Sequence, residues 1–117
     1  MAADCSAIIA SMTVEEIVRH RLGVEPERIA EFCRKWEIKE LALFGSALGD
    51  DFRADSDVDL LVVFQADASW DLWDVLHMQE ALEAMFGRTV DLVEKRAVKN
   101  PFRRHHILTT RRVLYAA

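Results

Sequence analysis

Cysteine is scarce in this chain: Cys5 and Cys33 are the only two. They are separated by helical sequence and have no Cys-x-x-Cys or Cys/His companion, so neither a zinc site nor a disulfide framework is indicated, and both read as ordinary thiols. Long apolar runs are missing as well. No stretch approaches the ~18 residues of a membrane span, and the N-terminal stretch carries Asp4, Glu15 and Glu16 and lacks a signal-peptide core. The expectation is a cytoplasmic protein without membrane contact. Proline and glycine are few, with two and four copies. The chain has 117 residues, which leaves room for a single domain over 1–117 and none for a separate substrate-recognition domain. Apolar residues at 51% and charged residues at 30% are ordinary for a soluble globular protein and argue against disorder.

What is present is unevenly distributed. The net charge is −5, yet all 20 acids lie in 1–94 with 8 bases, giving −12, while 95–117 hold 7 bases and no acid, giving +7. Such a split suggests a basic face that meets phosphates or an acidic partner, or a basic segment folded back on an acidic body. Thr13-Val14-Glu15-Glu16 has the form of a capping box, and the stripe after it predicts a helix over about 13–22 that Gly23 stops. Pro26 opens a second helix that runs to about Trp36. The residues between Gly49 and Ser56 read as a mobile acidic loop around Phe52, with Asp50, Asp51 and Asp55. A helix over about 70–86, with Ser69 as its cap and Gly87 as its stop, has a broad apolar side; Trp70 and Trp73 read as core, with nucleobase stacking the minor alternative. Asn100-Pro101 starts a last helix that continues to about Tyr115. Adjacent His105 and His106 point to different sides of it and do not share a metal. The fold class is α+β: a small mixed sheet of about three strands with helices packed against it. It divides into helices over 1–37, a sheet region over 38–94 and a basic C-terminal helix over 95–117.

The chemistry sits in that sheet region. Leu41-Ala42-Leu43-Phe44 reads as a buried strand, and Gly45-Ser46 as the tight turn leaving it, where glycine lets a ligand approach the backbone and a short following helix would aim its N–H groups at a phosphate. Asp57 and Asp59 are one residue apart at the start of the apolar strand Val58 to Phe64, so their side chains leave the same face, a geometry suited to a metal ion. Asp91 stands alone among apolar neighbours in a third strand, an arrangement costing several kcal/mol unless something neutralises it. A strand-helix-strand crossover places that strand parallel to the second, so all three acids can share one face. Magnesium suits such carboxylates because it binds through one or two of them together with substrate phosphates.

Gly45-Ser46, ten residues, then Asp57-Val58-Asp59 resembles the signature of the DNA-polymerase-β-like nucleotidyltransferase superfamily, and the short chain is similar to its minimal nucleotidyltransferase branch over roughly 38 to 115. The resemblance implies a nucleotidyltransferase fold. It also implies a pair of magnesium ions on Asp57, Asp59 and Asp91, with Gly45 and Ser46 holding the phosphates of ATP. It further implies an antitoxin that transfers AMP to a tyrosine hydroxyl of a cognate HEPN ribonuclease toxin. Members of this branch often carry an arginine two residues after the serine, where this chain has Leu48. That departure implies weaker nucleotide binding, replacement by another base such as Arg53, or partial loss of activity. Two other functions stand beside this one: neutralisation of the toxin by contact through the basic C-terminal helix, and modification of a small molecule such as an aminoglycoside. Direct nucleic-acid binding is not expected of a −5 chain with one basic end. The residues leave nucleotide preference, acceptor and homo-oligomer formation open.

Overall fold

The computed structural model describes residues 12–49, 52–53 and 55–117. Cys5, Asp50 and Asp51 lie outside the described residues. The expected first helix begins where Thr13 accepts a hydrogen bond from the Glu16 N–H through its hydroxyl. It is an α-turn, α1 (Val14–Ile17), that widens into a π-helical turn over Val18–Leu22 and stops at Gly23, which takes φ +70°. α2 (Pro26–Lys35) has proline in its first turn and buries Ile29, Phe32 and Cys33.

Four strands follow: β1 (Ile38–Phe44), β2 (Val58–Phe64), β3 (Val90–Glu94) and β4 (Arg112–Ala116). Their order in the sheet is β3-β2-β1-β4, with β1 antiparallel to both β2 and β4, and β2 parallel to β3. The parallel pair is bridged by α3 (Leu72–Phe86), as the crossover pattern requires. Its cap is Asp71, not Ser69: the Asp71 and Asp74 carboxylates exchange bonds with each other's backbone N–H groups, a stronger capping pair than a serine alone.

The C-terminal stretch differs from the single basic helix expected over 95–117. A short 3₁₀ turn at Lys95–Ala97 leads to α4 (Pro101–Thr110), capped by the Asn100 side chain, and the chain then turns into β4. Thr109 and Thr110 donate back to the carbonyls of His105 and His106, and Arg111 leaves the helix in an extended conformation. Val113, Leu114 and Tyr115 are β-branched or large residues that suit a strand, and β1 would otherwise have an open edge. The sheet therefore has four strands rather than about three.

The two faces of the sheet are both covered, which is why β2 is apolar throughout its middle. Leu41, Leu43, Leu60, Val62 and Leu92 pack under the first three helices, against residues such as Ile17, Ile29 and Met78. Ala42, Phe44 and Leu61 pack on the other side against Val98 and Ile107 of the α4 region. Trp70 is tied into the structure, with its indole N–H donating to the Trp36 carbonyl at 2.7 Å and its ring edge-on to Trp36. Trp73 is not the core residue expected: it is 70% exposed, because the apolar side of α3 is wider than the sheet it covers and only Met78, Leu82 and Phe86 are buried.

Candidate active site

Parallel pairing of β2 and β3 sets Asp59 directly opposite Asp91, flanked by Val58 against Val90 and Leu60 against Leu92. Partners in register project from the same side of a sheet, so these two carboxylates emerge together. The side is the one shared with Leu61, the face that α4 covers further along. The start of the pair is fixed by the Val58 N–H donating to the Thr89 carbonyl at 2.9 Å and the Val90 N–H donating to the Glu83 carboxylate at 3.1 Å. Asp57 lies just before β2 and is exposed, as is Asp91, whereas Asp59 is half-buried. The desolvation expected at Asp91 therefore falls on Asp59 instead. Burial, followed by the charges of Asp91 and Asp57, holds the Asp59 carboxyl above its ordinary value, and Arg103 pulls it the other way.

Gly45 closes on the same carboxylate. It takes φ +76°, and a Cβ built there would stand 2.3 Å from Asp59 Oδ2. Only glycine fits, both for its left-handed backbone and for the space. The short helix expected after β1 is a single 3₁₀ turn, Gly45–Leu48, and the Ser46 hydroxyl donates to the Asp57 carbonyl at a long 3.4 Å. Arg21, from the π turn, grips this segment by donating to the carbonyls of Ala47 at 3.2 Å and Gly49 at 2.9 Å.

The approach to Asp57 is also held. Arg88 donates to the carbonyls of Arg53 and Ser56, and its guanidinium lies 4.4 Å from the Phe52 ring centre, with Arg21 on the same ring at 5.6 Å. Phe52, Arg53 and Ser56 of the loop are thus pinned, which composition alone did not reveal.

Leu48 and Arg103 bear on the arginine that the family pattern expects. Leu48 is partly buried against the main core, so it serves packing. Arg53, the expected stand-in, contributes backbone contacts only among those seen here. Arg103 was missed by sequence reasoning, although its signal was available: it lies one turn before Ile107, which packs with Leu61, and Asp59 lies two residues before Leu61 on the same face.

The donor set suits magnesium. It offers oxygen ligands only, it strains one carboxylate by charge and burial, and it meets a glycine cradle that a side chain would fill. Among the described residues no group of three or more acidic, histidine or cysteine side chains is placed to hold a metal ion by itself.

Acids paired across parallel strands beside a close-approach glycine offer oxygen ligands for a divalent cation and open backbone for a phosphate. The family model for the nucleotidyltransferase domain matches residues 27–114. A protein adenylyltransferase, MntA, of Thermococcus cleftensis is 34% identical over 92 residues, covering 79% of this chain and 87% of that protein. A toxin-antitoxin crystal structure with AMP-PNP superposes with TM-score 0.64 at 21% identity, covering 80% of this chain and 75% of that one. The structure of a tri-AMPylated HEPN toxin of Shewanella oneidensis with its MNT antitoxin gives TM-score 0.54 at 21% identity, over 79% and 70% of the two chains. The chain belongs to the nucleotidyltransferase family and is a nucleotidyltransferase.

Proposed function

We propose that this enzyme transfers AMP from ATP to a hydroxyl of a HEPN-type toxin, with tyrosine the acceptor residue, and thereby acts as its antitoxin. The placement of Asp59 opposite Asp91 with Gly45 against the Asp59 carboxylate carries the reading. Support also comes from the adenylyltransferase name of the Thermococcus cleftensis relative and from the toxin complexes of the same fold.

Gly45 and Ser46 receive the β- and γ-phosphates along the tight turn, where no side chain blocks the backbone. Asp57, Asp59 and Asp91 are the residues that would hold magnesium, which when bound neutralises phosphate charge. Asp91, exposed on the outer strand of the pair, orients the acceptor hydroxyl and takes its proton. The hydroxyl oxygen attacks the α-phosphorus in line, forming a new P–O bond as the bond to the bridging oxygen breaks and pyrophosphate leaves. Arg103 stands across from the acids and places a positive charge beside the transferring group.

The test pairs the chain with a HEPN toxin, ATP and magnesium and follows the toxin by mass spectrometry. One or more AMP additions are expected with the native chain and none with Asp57→Asn/Asp59→Asn. Additions that persist in the double variant reject the assignment. Leu48 in the core, where the family often has an arginine, favours one second reading, neutralisation by contact alone. Under it the double variant would still rescue growth of cells expressing the toxin.

A further inference from the structure

The acids lie where β2 and β3 begin; a separate cavity of about 300 Å³ lies where the same two strands end. Phe64 lies five positions along the strand from Asp59, roughly 17 Å at the rise of a β-strand. The cavity is lined by Phe64 and Trp70, by the loop at Gln65, and by Lys95, Arg96 and Arg104. Its volume is at the lower end for small-molecule sites.

Charge narrows the class of ligand. Glu94 is paired with Arg96 at 2.6 Å, so these two nearly cancel. The Arg104 Nη1 donates to the carbonyls of Lys95 at 2.8 Å and Val98 at 3.3 Å, which fixes the guanidinium at the wall and leaves its other N–H donors for a ligand. Lys95 is half-buried at the same wall, and no hydrogen bond or ion pair engages its ammonium among the described residues. Two positive charges therefore line a cavity that also contains Phe64 and Trp70. Arginine and lysine together match a phosphate, by fork geometry and by point charge.

We propose that this cavity is a second binding site, for a small phosphorylated molecule of mononucleotide size, with the phosphate on Lys95 and Arg104 and the apolar part over Phe64 and Trp70. The site is independent of the transfer reaction and does not rest on the acceptor assigned above.

The experiment is an NMR titration of the full chain without magnesium, using AMP, inorganic phosphate and adenosine as probes. Saturable shifts of the Gln65, Ala66 and Lys95 amides are expected with AMP and with phosphate, and not with adenosine. Lys95→Glu should weaken AMP at these amides by about tenfold or more, the worth of one charge-assisted contact, while the rest of the spectrum shows the fold intact. Absence of saturable shifts there, equal shifts from adenosine, or unchanged AMP binding in a folded Lys95→Glu protein would each overturn the proposal.

Discussion

At Gly45 two requirements coincide: a left-handed backbone and a missing side chain in contact with Asp59. Gly45→Ala should cost about 1 kcal/mol from the backbone alone. It should also push the Asp59 carboxylate aside and lower the transfer rate by roughly a hundredfold or more. Thermal denaturation and a single-turnover assay measure the two losses separately. Asp59 itself carries a cost. Its raised value in the folded state means that its contribution to stability is fully present below pH 3.8, its ordinary value, and is lost as pH rises through the folded value. Removing a neighbouring charge should return part of it. Asp91→Asn is expected to raise the melting temperature of the metal-free protein at pH 7 by up to about 4 °C, with the gain vanishing below pH 3.8. An unchanged melting temperature at pH 7 would show that the carboxylates do not repel one another. These residues were legible in the sequence because spacing and strand alternation fix which side chains share a face. The share of burial was not legible: Asp91 reads as the stranded charge in its strand, but being on the outer strand it reaches solvent and leaves the burden to Asp59.

Among the elements, most boundaries follow from local chemistry. Gly23 and Gly87 end their helices in left-handed conformations, and Pro26 and Pro101 begin theirs. The parallel placement of β2 and β3 follows from the helix between them. β4 was not legible, because Val113 and Leu114 continue a helical stripe as well as they begin a strand. Only the open edge of β1 decides between the two, and that edge is set by pairing distant in sequence. The loop before β2 shows the same limit. Its polar composition reads as mobile, whereas Arg88, thirty-five residues from Arg53, holds its described part. Arg88→Ala removes two hydrogen bonds and the contact with Phe52. A loss of about 1–2 kcal/mol is expected, with a reduced transfer rate at saturating ATP as the entry to Asp57 loosens. Arg88→Lys should restore little of either, since an ammonium cannot reproduce the stacked, forked contact.

Over the whole molecule, the charge split resolves into several local uses. Arg111 pairs with Glu40 at 3.0 Å, Arg112 donates to the Met12 carbonyl, Arg104 braces the 95–98 turn, and Arg103 faces the acids. Arg111 and Arg103 thus turn towards acids of the body, while Arg104 braces the basic segment itself, so the folded-back reading that composition allowed holds for part of it. At the centre of that body the Cys33 thiol is fully buried, and burial pushes it up to about 12, with Arg34 opposing slightly. It stays protonated across the physiological range, so in a Cys5→Ala background a thiol reagent at pH 8 should label Cys33 only as fast as the domain opens. Labelling at the rate of a free thiol would place it near the surface. The grip of Arg21 on the carbonyls of Ala47 and Gly49 bears on where this enzyme can be cut. Arg21 and its buried neighbours Ile17, Val18 and Leu22 all precede residue 27, where the family match begins. A fragment trimmed to the family borders would keep Asp57, Asp59 and Asp91 yet surrender the tether that holds the turn after β1. The smallest competent catalyst is accordingly larger than the shared pattern that identifies it.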